Sequence, residues 1–164
     1  MALSRLKPPI AANGRVRPAI SALEVLVTVM IIGILSAIAV PSFLYSLASH
    51  RTNQAARRIV VDLELARREA TMASAARTVT FDAAGEFYTL IDVEHPDHPG
   101  QPYTVVLLDE PFQVEILAVD LGGDGVVVFD GYGQADSGGT IKLQSGAITA
   151  TIIVDAATGR ASVE

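Results

Sequence analysis

The chain has 164 residues, which is enough for one domain and a membrane anchor but not for two domains with separate cores. It contains no cysteine, and this excludes disulfides and thiolate metal sites. Its formal net charge of −6 argues against general binding to nucleic acid, because cations are needed to displace the counterions of the phosphates.

The charge is unevenly distributed along the chain. Residues 1–19 carry four basic and no acidic side chains, whereas the remainder carries 8 basic and 18 acidic ones. A basic stretch directly before an apolar segment stays in the cytoplasm by the positive-inside rule. The sequence therefore predicts that everything after the apolar segment lies outside the cytoplasm.

Residues 20–47 form the apolar segment and read ISALEVLVTVMIIGILSAIAVPSFLYSL, with Glu24 as the single charged side chain. About 20 apolar residues suffice to span a bilayer. A cleavable signal peptide is the alternative, and SAIA at 36–39 offers a matching cleavage site. The apolar region of a signal peptide is usually only about 7–15 residues long, so the length favours a retained anchor.

The position of Glu24 admits two interpretations. It is either an interfacial acid favoured by the dipole at a helix N-terminus, or part of a longer pattern. The segment resembles the type IV prepilins, which have a basic leader, a small residue before the cleavage point, Glu at the fifth mature position and often Pro at the twenty-second. Cleavage between Ala19 and Ile20 makes Glu24 the fifth mature residue and Pro41 the twenty-second. The family usually has Gly and Phe where this chain has Ala19 and Ile20.

This resemblance implies a processing and assembly route. A prepilin peptidase would remove residues 1–19 and methylate the new amine of Ile20. The Glu24 carboxylate would then neutralise the free amine of a neighbouring subunit, because both groups otherwise lie unpaired in apolar surroundings. The implied partners are other pilins or pseudopilins, contacted through the N-terminal helix. The implied location is the bacterial inner membrane, crossed once with the N-terminus cytoplasmic and the head periplasmic, and later a filament.

The sequence thus predicts a transmembrane or filament-core helix over residues 20–45. Beyond it, the spacing of apolar residues predicts an amphipathic helix over residues 46–76 that continues into the head. Its arginines and Asp62, Glu64 and Glu69 are assigned to a solvated polar face, with a DNA-binding stripe as the alternative. A continuous helix over residues 20–76 would be about 85 Å long. We expect a bend or a melted turn at Gly33 and Pro41, since Gly is entropically costly and Pro removes a backbone hydrogen bond. The apolar positions of this helix are Leu44, Leu47, Ala48, Ala55, Ile59, Leu63, Ala66, Ala70 and Ala73.

Residues 77–164 alternate short apolar runs with Gly, Pro and Asp, which predicts a β-rich head. Turns are expected where Gly85 and Gly159 supply a positive φ. Together with the helix, the strands indicate an α+β fold in which two antiparallel sheets pack against the C-terminal half of a long N-terminal helix. The predicted strands cover residues 78–82, 86–93, 103–108, 112–119, 126–129, 140–143, 147–154 and 160–164.

The head also resembles a known group. DLELARREA at 62–70, FDGYGQADSGGTIKLQ at 129–144 and a last hairpin ending in TGR at 158–160 are similar to the H-type pseudopilins of type II secretion and to FimT-like minor pilins. The resemblance implies a low-copy structural subunit of a pseudopilus that takes part in protein export.

The alternative within this resemblance is a FimT-like minor type IV pilin that acts in pilus assembly or DNA uptake. Some FimT-like proteins bind DNA through basic C-terminal residues. In this chain Arg160 is followed by ASVE, so that basic cluster is missing and DNA is not an expected partner.

Several short segments are similar to catalytic or metal-binding motifs, but a turn is a simpler explanation for each of them. The segment DSGG at 136–139 is similar to the surroundings of a serine nucleophile, yet such catalysis needs a histidine and an acid nearby. His95 and His98, with Asp92 and Glu94, are possible metal ligands in a Pro-rich loop, and DLGGDG at 120–125 resembles a fragment of a calcium loop. We expect turns at these segments, no catalytic or metal-binding residues, no cofactor and no enzymatic activity.

Overall fold

A computed structural model describes residues 21–95 and 98–164. In this part of the chain one helix is followed by eight strands, so the predicted α+β class is confirmed. Each predicted strand is present, with ends that shift by up to three residues. The elements are α1 (Ala22–Ala73), β1 (Arg77–Asp82), β2 (Phe87–Glu94), β3 (Pro102–Val106), β4 (Glu115–Leu121), β5 (Val126–Phe129), β6 (Gly139–Ser145), β7 (Ile148–Val154) and β8 (Ala161–Val163).

The start of α1 is fixed by Ser21. The hydroxyl oxygen of Ser21 accepts a hydrogen bond from the backbone N–H of Leu23 at 3.3 Å, and its carbonyl accepts one from Val25 at 3.2 Å. This is the pattern of an N-cap residue, which satisfies donors that have no partner inside the helix. The helix therefore begins at Ala22.

The end of α1 comes three residues earlier than predicted. Ser74 adopts a left-handed conformation with φ 48°, and the N–H of Ala75 donates to the carbonyl of Ala70 at 3.1 Å. A left-handed residue followed by such a bond terminates a helix. Helical structure continues without interruption through Gly33 and Pro41, so a melted turn is absent there. A bend at these two residues stays a prediction.

The chain divides into two compact units between Ala39 and Val40. Of the first unit the structure describes residues 21–39, which form the first part of α1 after the Ser21 cap. The second unit contains the rest of the helix and all eight strands. Its strands form two four-stranded antiparallel sheets, ordered β3-β2-β1-β5 and β4-β6-β7-β8. The two predicted antiparallel sheets are therefore confirmed.

The core of the second unit combines the helix with both sheets. Small residues dominate the buried face of α1, namely Ala55, Ala56, Ala66 and Ala70, and larger ones on the sheets complete the packing. Of the predicted apolar positions, Leu44 and Ala73 are exposed. Two polar residues of α1 are buried, Thr52 at 1% exposure and Asp62 at 2%. The prediction that Asp62 lies on the solvated face is therefore wrong.

The two predicted turns differ in which residue takes the positive φ. Gly159 has φ 62°, as expected, but in the other turn Glu86 has φ 56°. In that turn Asp82 accepts hydrogen bonds from the backbone of Ala84 at 2.9 Å and Gly85 at 2.8 Å. A glycine is needed at position 85 for a different reason, because a Cβ there would lie 2.3 Å from the ring of Phe87.

Candidate assembly interface

The large apolar side chains in the first part of α1 are all exposed. Within the first unit the exposed fractions of its large apolar side chains run from 43% at Val27 to 72% at Ile38. In the second unit the pattern continues at Val40, Phe43 and Leu44. Apolar patches of this extent mark surfaces that contact lipid or another protein. By length and composition α1 is also, within the described residues, the helix able to cross a membrane.

Glu24 is the single charged residue on this apolar stretch. It lies in the first turn of α1 and is exposed. Its carboxylate makes no hydrogen bond or ion pair with any described residue, while the neighbouring Thr28 hydroxyl donates to the backbone carbonyls of Glu24 at 2.9 Å and Val25 at 2.8 Å. Ala19 and Ile20, the predicted cleavage and methylation site, lie outside the described residues.

A buried polar cluster joins α1 to the first sheet, and we name it the Asp62 cluster (Arg58, Asp62, Tyr88 and Tyr103). Asp62 Oδ2 accepts hydrogen bonds from Arg58 Nε at 2.9 Å and from the Tyr88 hydroxyl at 2.5 Å. Its Oδ1 accepts one from the Tyr103 hydroxyl at 2.7 Å, and that hydroxyl in turn accepts one from Arg58 Nη2 at 2.5 Å. Because Tyr88 lies on β2 and Tyr103 on β3, the cluster fixes the position of the helix on these strands.

The surroundings of the cluster shift the protonation of its members. Burial, followed by the hydrogen bond to Asp62, raises the pKa of Tyr103 to about 12. Burial and the charge of Asp62 also raise the pKa of Tyr88. Burial acts to lower the pKa of Arg58, but the charge of Asp62 and the two tyrosines outweigh it and the net shift is upward. All three shifts keep protons on the groups around the carboxylate, so Arg58, Tyr88 and Tyr103 remain hydrogen-bond donors.

The sequence contained a signal for this cluster. Position 62 follows Ile59 by three residues and precedes Ala66 by four, so it falls within the buried stripe of the helix. The polar identity of Asp62 suggested a solvated position, whereas its place in the helical repeat pointed to the core. The tyrosines that bond it lie 26 and 41 residues further along the chain, and no local pattern connects them.

The acidic turns of the head use their carboxylates for local bonding. Asp136 Oδ1 accepts hydrogen bonds from the backbone of Val128 at 2.8 Å and from the Ser137 hydroxyl at 3.2 Å. Asp130 Oδ1 accepts from the backbone N–H groups of Tyr132 and Gln134, each at 2.9 Å. The bond from Tyr132 makes an Asx turn at Asp130, whereas the bond from Val128 ties Asp136 to β5.

Two of the three histidines, His95 and His98, lie beside each other in the loop after β2. The rings of His95 and His98 have centroids 4.8 Å apart, and His95 also contacts the ring of Tyr103 edge-on at 4.9 Å. The backbone N–H of His98 donates to His95 Nδ1 at 3.1 Å. Within residues 21–95 and 98–164 no group of three or more His, Asp or Glu side chains is arranged to hold a metal ion.

A helix with an exposed apolar N-terminal half, followed by two antiparallel sheets that pack on its second half, defines a pilin-like protein. The family model for the Type II transport protein GspH matches residues 55–158, which is more than half of the chain. The chain therefore belongs to the GspH family.

One solved structure that resembles the chain is the crystal structure of the type IV minor pilin FimU from Pseudomonas aeruginosa strain PAO1. The sequence identity is 18%, the match covers 71% of this chain and 90% of FimU, and the TM-score is 0.49. No curated protein matches the chain.

Proposed function

We propose that the protein is a minor pseudopilin, a structural subunit of the type II secretion pseudopilus. The observation that carries this proposal is an exposed apolar helix with one carboxylate that no described residue pairs, attached to a head of the GspH family. Before assembly the helix anchors the protein in the inner membrane, and the head lies in the periplasm. The proposed role is structural, without an enzymatic activity.

The physical basis of the proposal is the balance of forces in lipid. Lipid tails are as apolar as leucine side chains, so the hydrophobic effect does not drive one such helix toward another. An acid in these surroundings is costly unless it is paired. Pairing of Glu24 with the free amine of Ile20 on a neighbouring subunit removes this cost, and it sets the stagger between the two helices.

Processing by a prepilin peptidase is the first testable part of the proposal. Mass spectrometry of the protein extracted from membranes is expected to find Ile20 as a methylated N-terminal residue. An intact leader, or a mature N-terminus at another residue, contradicts this part. It would leave the membership of the family unchanged, because the matched region begins at residue 55.

The role of Glu24 is tested by the substitution Glu24→Gln, which preserves shape and removes the charge. We expect incorporation into filaments to fall at least about tenfold, which corresponds to about 1.4 kcal/mol. The head should keep its resistance to protease, because the Glu24 side chain makes no hydrogen bond or ion pair with a described residue. Thr28→Val, a substitution one turn further along the same helix, is the matched control and should assemble normally. Unchanged incorporation of Glu24→Gln would count against the pairing.

Deletion of the gene distinguishes a role in protein export from a role in pilus assembly or DNA uptake. The proposal expects exported proteins to accumulate in the periplasm, while pilus assembly and DNA uptake continue. The opposite result would favour the FimT-like minor pilin. Retention of DNA by the purified protein in a mobility assay at low salt, weakening as salt rises, would support uptake.

A further inference from the structure

The charges on α1 become one-sided after its apolar stretch. Between Glu24 and Asp62 the helix carries three arginines and no acidic side chain. Asp62 binds Arg58 at 2.9 Å, so that cation already has a counter-ion. Arg51 and the exposed Arg57 make no side-chain hydrogen bond or ion pair with any described residue. These two positive charges therefore lack a counter-ion within the part of the chain that the structure describes.

An open cleft of about 470 Å³ lies along the same part of the helix. Its lining consists of side chains that can donate hydrogen bonds. Their positions recur every three or four residues, so they share one face of α1. The opposite face, which includes Ala55 and Ile59, is buried in the head. We name this cleft the polar cleft, and it is lined by His50, Asn53, Gln54 and Arg57.

Under the proposed anchoring, the polar cleft begins at the membrane surface. Residues 25–44 carry no charged side chain and, at about 1.5 Å per residue, are long enough to cross a hydrocarbon core of about 30 Å. Tyr45 follows directly and is 63% exposed. Tyrosine is enriched at the boundary between lipid tails and headgroups. His50 and Arg51 come next along the helix, and they are therefore the first cationic or donor groups to meet the headgroups.

Distance along the helix ranks the three arginines of α1 that have no described partner. Measured from Leu44, Arg51 lies about 10 Å further along the axis, Arg57 about 20 Å and Arg68 about 36 Å. The headgroup layer is about 5–7 Å thick, and helical side chains point back toward the helix N-terminus. The guanidinium of Arg51 therefore reaches the phosphates. That of Arg57 acts on them within a Debye length of about 10 Å, and Arg68 is too distant.

We propose that His50 and Arg51, assisted by Arg57 in the polar cleft, bind the phosphate of anionic phospholipids. The headgroup must carry a net negative charge, because a zwitterionic headgroup brings its own cation to the phosphate. Each basic side chain next to a membrane strengthens the attraction to anionic lipid by a factor of about five. This inference rests on the proposed function for the anchor, and it adds a lipid preference that holds the subunit in its membrane before assembly.

The absence of native tryptophan allows a direct test in the full-length protein. Tyr45→Trp introduces a single fluorophore, and the protein is reconstituted in bilayers of equal parts phosphatidylglycerol and phosphatidylcholine. Bromine in the acyl chains of one lipid or the other quenches the fluorophore at short range. We expect phosphatidylglycerol to associate at least about threefold more strongly than phosphatidylcholine. Phe43→Trp, at a side chain that is 67% exposed, takes the place of Tyr45→Trp if that variant does not fold.

Substitutions along the helix identify the groups that bind the lipid. Arg51→Gln should lower the preference for phosphatidylglycerol at least about twofold, Arg57→Gln should lower it less, and Arg51→Lys should keep it. Arg68→Gln is the matched control, because Arg68 also lacks a described partner but lies far from the apolar stretch, and it should leave the preference unchanged. High salt should weaken the preference. Circular dichroism of each variant checks that the head is folded.

The outcomes distinguish this inference from the proposed function. Equal quenching by the two brominated lipids, or the same loss from Arg68→Gln as from Arg51→Gln, overturns the lipid site and leaves the proposed function standing. Equal quenching together with retention of duplex DNA that requires Arg51 assigns these arginines to nucleic acid and also overturns the lipid site. Absence of quenching by either lipid contradicts the membrane anchor and the lipid site together. A lipid preference in a protein that never enters filaments refutes only the proposed function.

Discussion

The substitution Asp62→Ala tests whether the Asp62 cluster holds the head together. Asp62 accepts all three hydrogen bonds that join Arg58, Tyr88 and Tyr103 to it. Removal of its carboxylate leaves two buried tyrosine hydroxyls without an acceptor, and each tyrosine is only 1% exposed. The substitution therefore measures the cost of leaving polar groups unpaired in the core.

The expected cost follows from these two hydroxyls. A buried donor without a partner costs about 1–3 kcal/mol. The Arg58 side chain is 39% exposed and can turn to water, so the loss of its ion pair adds little. Asp62→Ala should therefore lower the free energy of unfolding by about 3 kcal/mol in total. For a head of this size, that change lowers the melting temperature by about 12 °C.

Thermal unfolding of the full-length protein in detergent, followed by circular dichroism of the strands, measures this change. Glu64→Ala is the matched control on the same helix. The Glu64 side chain is 24% exposed, against 3% for Asp62, so removing its ion pair with Arg67 should cost at most about 1 kcal/mol. The measurement therefore compares two acids that lie two residues apart.

A second variant distinguishes the cost of leaving buried hydroxyls unpaired from the cost of losing the attraction of the Asp62 carboxylate. The combination of Asp62→Leu, Tyr88→Phe and Tyr103→Phe removes the acceptor together with its buried donors, and it should restore stability to within about 1 kcal/mol of the wild type. If Asp62→Ala lowers the melting temperature by less than about 4 °C, or if the triple variant is as unstable as the single one, the reasoning is refuted.

Two further predictions concern pH and turn geometry. Because the pKa of Tyr103 is raised from 10.0 to about 12, the folded state holds this proton more tightly than the unfolded state. Its contribution is fully present below about pH 10 and is lost as pH rises toward about 12. Tyr103→Phe should reduce the slope of that part of a plot of melting temperature against pH, and Tyr88, whose pKa is also raised, accounts for the remaining slope. Gly159→Ala should cost about 2–3 kcal/mol more than Gly146→Ala in urea unfolding. Both residues have positive φ, but only at position 159 would a Cβ lie 2.2 Å from the carbonyl oxygen of Gly133. Equal costs at the two glycines would contradict the second prediction.

The fold could be predicted from sequence where a periodic pattern extends over many residues. The helical repeat that includes Ile59, Leu63, Ala66 and Ala70 predicted residues that are buried in the structure. β5 alternates in the same way, since Val127 and Phe129 are fully buried and their neighbours are not. In β2 and β4 shifts of register interrupt this alternation. Periodicity is a local property that packing against a core preserves.

The remaining features depend on contacts that a local pattern does not contain. The end of α1 is set by the backbone conformation of Ser74, a residue type with no strong preference for the left-handed region. A sequence shows that Arg67 and Arg68 are both basic, whereas the structure shows which of them is already paired.

The buried core of the head is complete without the membrane segment. Its fully packed residues run from Ala55 on the helix to Val154 on β7, and none comes from residues 21–46. Under the proposed function, the anchor can therefore pass from lipid into an assembly of similar helices while the head keeps its packing unchanged. The same proposal makes anchor and head separable parts, so that a foreign head grafted after the anchor would follow the same route through the membrane.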